Sequence, residues 1–164
     1  MTRTYKKNNP HAKWWWTGTL AVISILVIWA ASGAATTSAA LDGEGTIYMS
    51  AACGCCDVWA RYTERAGLET DVVLDRPDMR AFKAELGIPP HLESCHTMIV
   101  DGYFVEGHIP SEAVEQLLEE RPDIRGIAMP GMPSGSPGMP GPKTGPFVIY
   151  AVHHDGTETE YMRI

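Results

Sequence analysis

No charged residue occurs between Trp14 and Leu41, and no acidic residue precedes Asp42, while Arg3, Lys6, Lys7 and Lys13 mark the extreme N-terminus. Absence of charge over so long a run points to an export signal or a membrane anchor. A positive start, an apolar run from Leu20 to Ala31 and a small-residue tail of Ala34, Ala35, Ser38, Ala39 and Ala40 fit a signal peptide cleaved near Ala39 or Ala40. Alternatively Trp14 to Ala35, 22 residues, spans the roughly 30 Å of bilayer hydrocarbon as one helix, with Trp14 to Trp16 and Trp29 as interfacial anchors. Either way the lysine-rich end stays in the cytoplasm and the rest lies outside. The expected organisation is therefore 1–40 as signal peptide or N-terminal membrane anchor and 41–164 as one domain, periplasmic or extracytoplasmic, soluble or tethered.

The second absence is of positive charge in that domain. Residues 41–164 hold all 20 acids but only nine of the 13 basic residues, a net charge of −11 with histidines neutral. Phosphate binding needs a basic surface, so nucleic acid is excluded as a partner. The length suits one modest core and leaves no room for a second domain. No internal repeat is present.

Cysteine is also scarce: Cys53, Cys55, Cys56 and Cys95 are the only four, and three of them fall within four positions. This excludes an ordinary framework of disulfide staples, because adjacent Cys55 and Cys56 cannot both close long loops without crowding. Clustering of this kind suggests redox chemistry or metal ligation.

Strand and helix signals follow along the chain. Thr46 to Met49 predicts a strand, Asp57 to Ala66 an amphipathic helix closed by Gly67, and Glu69 to Leu74 a second strand. Pro77 is expected to open a helix to Leu86, with Gly87 at its end. His96 to Val100 and Tyr103 to Glu106 flank Asp101-Gly102, a two-residue hairpin signal. Ser111 is the expected N-cap of a helix over Glu112 to Glu120, with Ala113, Val114, Leu117 and Leu118 as its apolar stripe. The order βαβα then ββα predicts an α/β, thioredoxin-like fold. Arg121 to Pro146 holds seven of the 12 prolines and has no periodicity, so it reads as a Pro/Gly/Met-rich loop containing no element. Phe147 to His153 and Thr157 to Met162 around Asp155-Gly156 predict a C-terminal β-hairpin.

Cys53-Gly-Cys-Cys56 therefore sits at a strand-to-helix turn, where the helix dipole lowers thiolate pKa. Thiolate is both the nucleophile of disulfide exchange and a ligand for soft metals. Cys55 separates the two roles, because a dithiol oxidoreductase needs two sulfurs and a third invites mispairing. Thioredoxin-like folds usually place an apolar residue, a cis-proline and a threonine against the C-x-x-C turn. Here Cys95 and His96 stand before Thr97, so two ligand-type side chains replace the cover over the dithiol. This predicts that Cys53, Cys55, Cys56 and Cys95 converge with His96. His108 follows the fourth strand and is a further candidate ligand; His91 is a weaker one. His153 and His154 are neighbours in an expected strand and face opposite ways, so they receive no role. Met129, Met132 and Met139 offer thioethers, which suit Cu(I) and Ag(I), or simply fill gaps under a long loop.

Cys-Gly-Cys-Cys at 53–56, Ser-Cys-His-Thr at 94–97, Val-Asp-Gly-Tyr at 100–103, Glu-Gly-His-Ile-Pro at 106–110 and the methionine segment at 129–139 together resemble one family. It is the domain-of-unknown-function family that includes the copper-resistance protein CopG, and the resemblance runs from about Thr46 to the C-terminus. The resemblance implies copper, as Cu(I) in a multinuclear cysteine-bridged cluster with redox turnover between Cu(I) and Cu(II). It implies Cys53, Cys55, Cys56 and Cys95 as bridging thiolates, with His96 and His108 at matching positions. Expected partners are copper ions and other extracytoplasmic copper-handling proteins, with the membrane engaged only through an uncleaved N-terminal segment. Two readings compete with this one. Cys53 and Cys56 are a thiol-disulfide pair in one, and a Cys₃His or Cys₄ set holds structural zinc in the other.

Overall fold

The computed structural model describes residues 43–164. The expected leader or anchor, 1–40, lies outside the described residues, among which no helix is long and apolar enough to cross a membrane. Ten elements follow in order: β1 (Glu44–Met49), α1 (Gly54–Arg65), β2 (Glu69–Leu74), α2 (Met79–Glu85), β3 (Thr97–Val100), β4 (Tyr103–Glu106), α3 (Ser111–Glu120), β5 (Gly126–Ala128), β6 (Val148–Val152) and β7 (Glu158–Arg163). The strands form one mixed seven-stranded sheet in the order β2-β1-β3-β4-β5-β6-β7. β1 runs parallel to β2 and antiparallel to β3, β3 antiparallel to β4, and β4 parallel to β5. The last two strands each reverse direction.

Strand alternation sends side chains to two different cores. Ile47, Met98, Val105, Ile127 and Ile149 share one cluster with Trp59 and Ala60 of α1 and with Ala113, Val114 and Leu117 of α3. A second cluster gathers Phe104, Ala128 and Val152 with Ile88 and Leu92 from the loop after α2. Tyr48 of β1, one residue out of phase with Ile47, packs at a tilt against Phe82 of α2, with 4.6 Å between ring centroids. The apolar stripes of α1 and α3 thus cover one cluster, while α2 and its following loop lie with residues of opposite phase.

Several local expectations need correction. The segment 121–146 does contain an element: β5 pairs Ile127 with Val105 of β4 and with Ala151 of β6, and so joins the C-terminal hairpin to the sheet. Gly126 permits this, because a Cβ there would collide with the Phe104 carbonyl oxygen and ring. Proline and glycine on both sides hide so short a strand from any periodicity test. α2 begins at Met79 and not at Pro77. Ser111 is the first helical residue of α3, preceded by Pro110 in extended conformation. Its hydroxyl meets Tyr62 Oη at 2.9 Å and its N–H donates to the same oxygen, so Tyr62 does the work expected of an N-cap side chain.

The hairpins also differ. Asp101 (φ 50°) and Gly102 (φ 86°) both adopt left-handed backbone, as a two-residue turn with the twist of a β-ribbon requires. In the second hairpin only Gly156 does (φ 85°), and its N–H donates to the His153 carbonyl within a longer turn.

Candidate metal centre

Cys53 lies just before α1, its N–H donating to the Ser50 carbonyl at 2.9 Å. The approach to it is fixed by Asp75, whose Oδ1 accepts from Ser50 Oγ (3.2 Å) and from Ala51 N–H (3.0 Å). Because α1 starts at Gly54, three residues earlier than the apolar pattern suggests, Cys55 and Cys56 occupy its first turn. Cys53 and Cys56 are joined as a disulfide, with their Cα atoms 5.3 Å apart. Cys55 and Cys95 are free thiols, and Cys55 Sγ lies 3.4 Å from Cys53 Sγ. All four sulfurs fall within 4.8 Å of one another.

Cys95 comes from the loop that enters β3, and it also belongs to a second group. Its Sγ is 3.0 Å from His108 Nε2 and 3.4 Å from His96 Nδ1. Cys95, His96 and His108 likewise have one ligand atom each within 4.8 Å. The structure therefore brings together the four cysteines, His96 and His108, in two sets that share Cys95.

The imidazoles are held in ligand-ready form. His108 Nδ1–H donates to the Pro137 carbonyl at 2.8 Å, which leaves Nε2 with its lone pair toward Cys95. His96 is fully buried, its ring 4.3 Å from that of Trp59 and 4.8 Å, edge-on, from that of His108. Burial, then His108, then Lys83 hold the His96 pKa down to about 3, so the ring is neutral. Burial lowers that of His108 as well. Burial first, and Cys55 second, push the Cys95 thiol up to about 11. Cys95 is thus protonated near neutrality, and ligation by its thiolate releases that proton.

Soft sulfur with neutral imidazole suits Cu(I) or Zn(II) better than hard cations. His96 turns Nδ1 toward Cys95, and its other ring nitrogen, Nε2, is buried without a hydrogen-bond partner among the described residues. Four-thiolate ligation requires two-electron reduction of the Cys53–Cys56 bond, whereas Cys95, His96 and His108 are available with the bond intact.

Other candidates lie elsewhere. His91 is exposed and pairs with Glu158, His153 bonds Thr159 Oγ1, and His154 pairs with Asp123. Both of the last two fall beyond the end of β6. Met129 is buried in the main core, which is the gap-filling role, while Met132 is 53 % exposed.

Supporting residues were not legible from the sequence. Pro137 and Gly138 cross over the site: a Cβ on Gly138 (φ 85°) would lie 2.7 Å from the Cys55 carbonyl and 3.2 Å from His108 Nδ1. Lys83 and Glu106 form a buried ion pair (2.5 Å) beneath the Cys95 loop. Nothing in their sequence context distinguishes them from surface charges.

Fold and site together define a small mixed α/β protein in which a sulfur-rich strand-to-helix turn faces a Cys-His pair. The family model described as a protein of unknown function, DUF411, matches residues 92–139, which include Cys95, His96 and His108. Two solved structures, copper resistance protein CopG in form 1 and form 2, are each 36% identical to this chain with a TM-score of 0.68. They cover 74% of it and 96% and 98% of their own lengths. A search of the curated proteins found no match. The chain belongs to the CopG-like DUF411 family.

Proposed function

We propose that this protein is an extracytoplasmic copper-binding protein of copper resistance or homeostasis. Cu(I) is held by Cys53, Cys55, Cys56 and Cys95 as bridging thiolates, with His96 and His108 completing the site, which is able to cycle the metal's oxidation state. The observation that carries the reading is the convergence of three other sulfurs and two neutral imidazoles on Cys95. The names of the two CopG structures support copper as the metal. In this reading residues 41–164 are one thioredoxin-like domain, supported by the neighbouring order β2-β1-β3-β4 with β3 antiparallel to β1. Residues 1–40 are the signal or anchor that exports it, and its partners are copper ions and other extracytoplasmic copper-handling proteins. Recovery of the protein from the cytoplasmic fraction would remove the export part of the proposal.

The test is anaerobic loading of the reduced protein with Cu(I) in competition with Zn(II), followed by elemental analysis and X-ray absorption. More than one copper per chain with sulfur ligation is expected, and Cys55→Ser should lower the copper content. Unchanged content in Cys55→Ser sinks the shared-thiolate site, and zinc retained at one equivalent in preference to copper favours a structural zinc site instead.

The Cys53–Cys56 disulfide favours a second reading, thiol-disulfide exchange with Cys53 attacking and Cys56 resolving. Its mark is reduction of a protein disulfide such as insulin's by chelator-treated protein.

A further inference from the structure

Beside the cysteine cluster opens a cleft of about 320 Å³ lined by Met49, Ser50, Asp75, Arg76, Met79 and Cys95. Met49 ends β1 and Met79 begins α2, so two different elements each contribute one methionine to the lining of the cleft that Cys95 also lines. Neither methionine belongs to the methionine-rich loop, and neither is needed for the site described above.

The two charged side chains of the cleft each have a partner. Asp75 Oδ1 accepts from Ser50 Oγ and from Ala51 N–H. Arg76 pairs with Asp78 at 2.9 Å and lies 4.2 Å from the centre of the Phe82 ring. Their opposite charges offset each other, so the cleft has no strong net field to draw in a hard divalent cation. What remains are two methionines, Met49 packed against the main core and Met79 half-buried, together with the Cys95 thiol that the cleft shares with the cluster. Thioether sulfur is a neutral, polarisable ligand that favours monovalent soft ions over Zn(II) or Cu(II).

We propose that the cleft is a transit subsite for a soft monovalent ion, Cu(I) or Ag(I), held by Met49 and Met79 before Cys95 takes it into the cluster. The proposal rests on the copper-binding reading above and adds the route by which the ion arrives. The transfer is a ligand exchange without redox change: metal–thioether bonds break, a metal–thiolate bond to Cys95 forms, and the Cys95 proton goes to solvent. Thioethers suit a transit role because, being uncharged, they hold such an ion less tightly than thiolates do.

The experiment is rapid-mixing of the full-length, thiol-reduced protein with Ag(I) alone, following metal–thiolate absorbance in the ultraviolet. Methionine to leucine nearly conserves volume, so Met49→Leu/Met79→Leu and the single Met79→Leu are expected to fold. The double variant should load about fivefold or more slowly, equivalent to about 1 kcal/mol in the barrier, with the same final silver content. Met132→Leu, which changes an exposed methionine outside the cleft, should load at the wild-type rate. Wild-type loading rates in the double variant overturn the inference and leave the cluster reading standing, as does equal slowing in Met132→Leu. Reduced final silver content in the double variant also overturns it, by making the methionines permanent ligands. Failure of the wild-type protein to take up silver removes the cluster reading itself.

Discussion

Gly138 is the residue on which the cover of the site turns. Its φ of 85° is left-handed, and an added Cβ would meet the Cys55 carbonyl at 2.7 Å and Trp59 N at 3.0 Å, both backbone atoms that cannot swing away. Gly131 has a similar φ of 70° but open space around it. Gly131→Ala is expected to cost only the backbone penalty of ~1–2 kcal/mol for a left-handed alanine. Gly138→Ala should cost more than that, because loop and helix must also separate; urea unfolding of the two variants measures the difference. Equal losses would mean that the Pro137-Gly138 crossing yields easily. The six candidate ligands were legible at this scale because cysteine and histidine declare their chemistry by type and spacing. Gly138 was not, since six glycines occur between residues 121 and 146 and only packing tells them apart.

Between elements, the buried polar network around Glu106 decides where Cys95 and His96 stand. Lys83 Nζ of α2 donates to Glu106 Oε1 (2.5 Å) and to the Ser94 carbonyl (2.6 Å). Ser94 N–H donates to the same Oε1 (2.6 Å), and Thr97 Oγ1 donates to Oε2 (2.5 Å). One carboxylate at the end of β4 therefore grips both Ser94 and Thr97, the two residues that flank Cys95-His96. Breaking such a pair from one side leaves a buried charge, and Lys83→Met should lower stability by about 3–5 kcal/mol near neutral pH. Burial pushes the Glu106 pKa up from its ordinary 4.5, opposed by Lys83. Without Lys83 it moves further up, so the variant's folded state holds the proton more tightly than its unfolded state. Its relative stability is then fullest below the unfolded carboxylate pKa and falls as pH rises through the folded value. Unfolding measured at pH about 4 and about 7 should show the smaller deficit at the lower pH; a deficit independent of pH would exclude an uncompensated carboxylate as the cause.

At the scale of the whole molecule, the sheet joins groups far apart in the chain, and metal and redox state are expected to act on its stability together. A ligand bound only by the native state stabilises it by about 2.7 kcal/mol at 100 times its dissociation constant. Under the proposed function, Cu(I) should raise the thermal midpoint of the reduced protein. The gain should be smaller with the Cys53–Cys56 bond intact, because two of the four sulfurs are then tied to each other. Thermal unfolding with and without reductant and Cu(I) tests this; equal gains in both forms would exclude Cys53 and Cys56 as ligands.

The sequence by itself determined the order of most elements, the position of the cysteine turn, and the ligand-type pair in front of Thr97. These are local patterns: apolar periodicity marks β1, α1, β3, β4 and α3, and Asp101-Gly102 specifies its turn by backbone conformation alone. Tertiary structure alone decided the rest. β5 is three residues long and exists because β4 and β6 offer hydrogen bonds on either side of it. Tyr62 replaces an N-cap from 49 residues away, and Lys83 and Glu106 become an internal pair only when α2 lies against the end of β4. The Met49–Met79–Cys95 cleft likewise draws on three segments whose spacing in the chain carries no common pattern. Periodicity reports which face of an element is buried, but it holds no record of which distant residue that face meets, and the supports of this site are all contacts of that second kind.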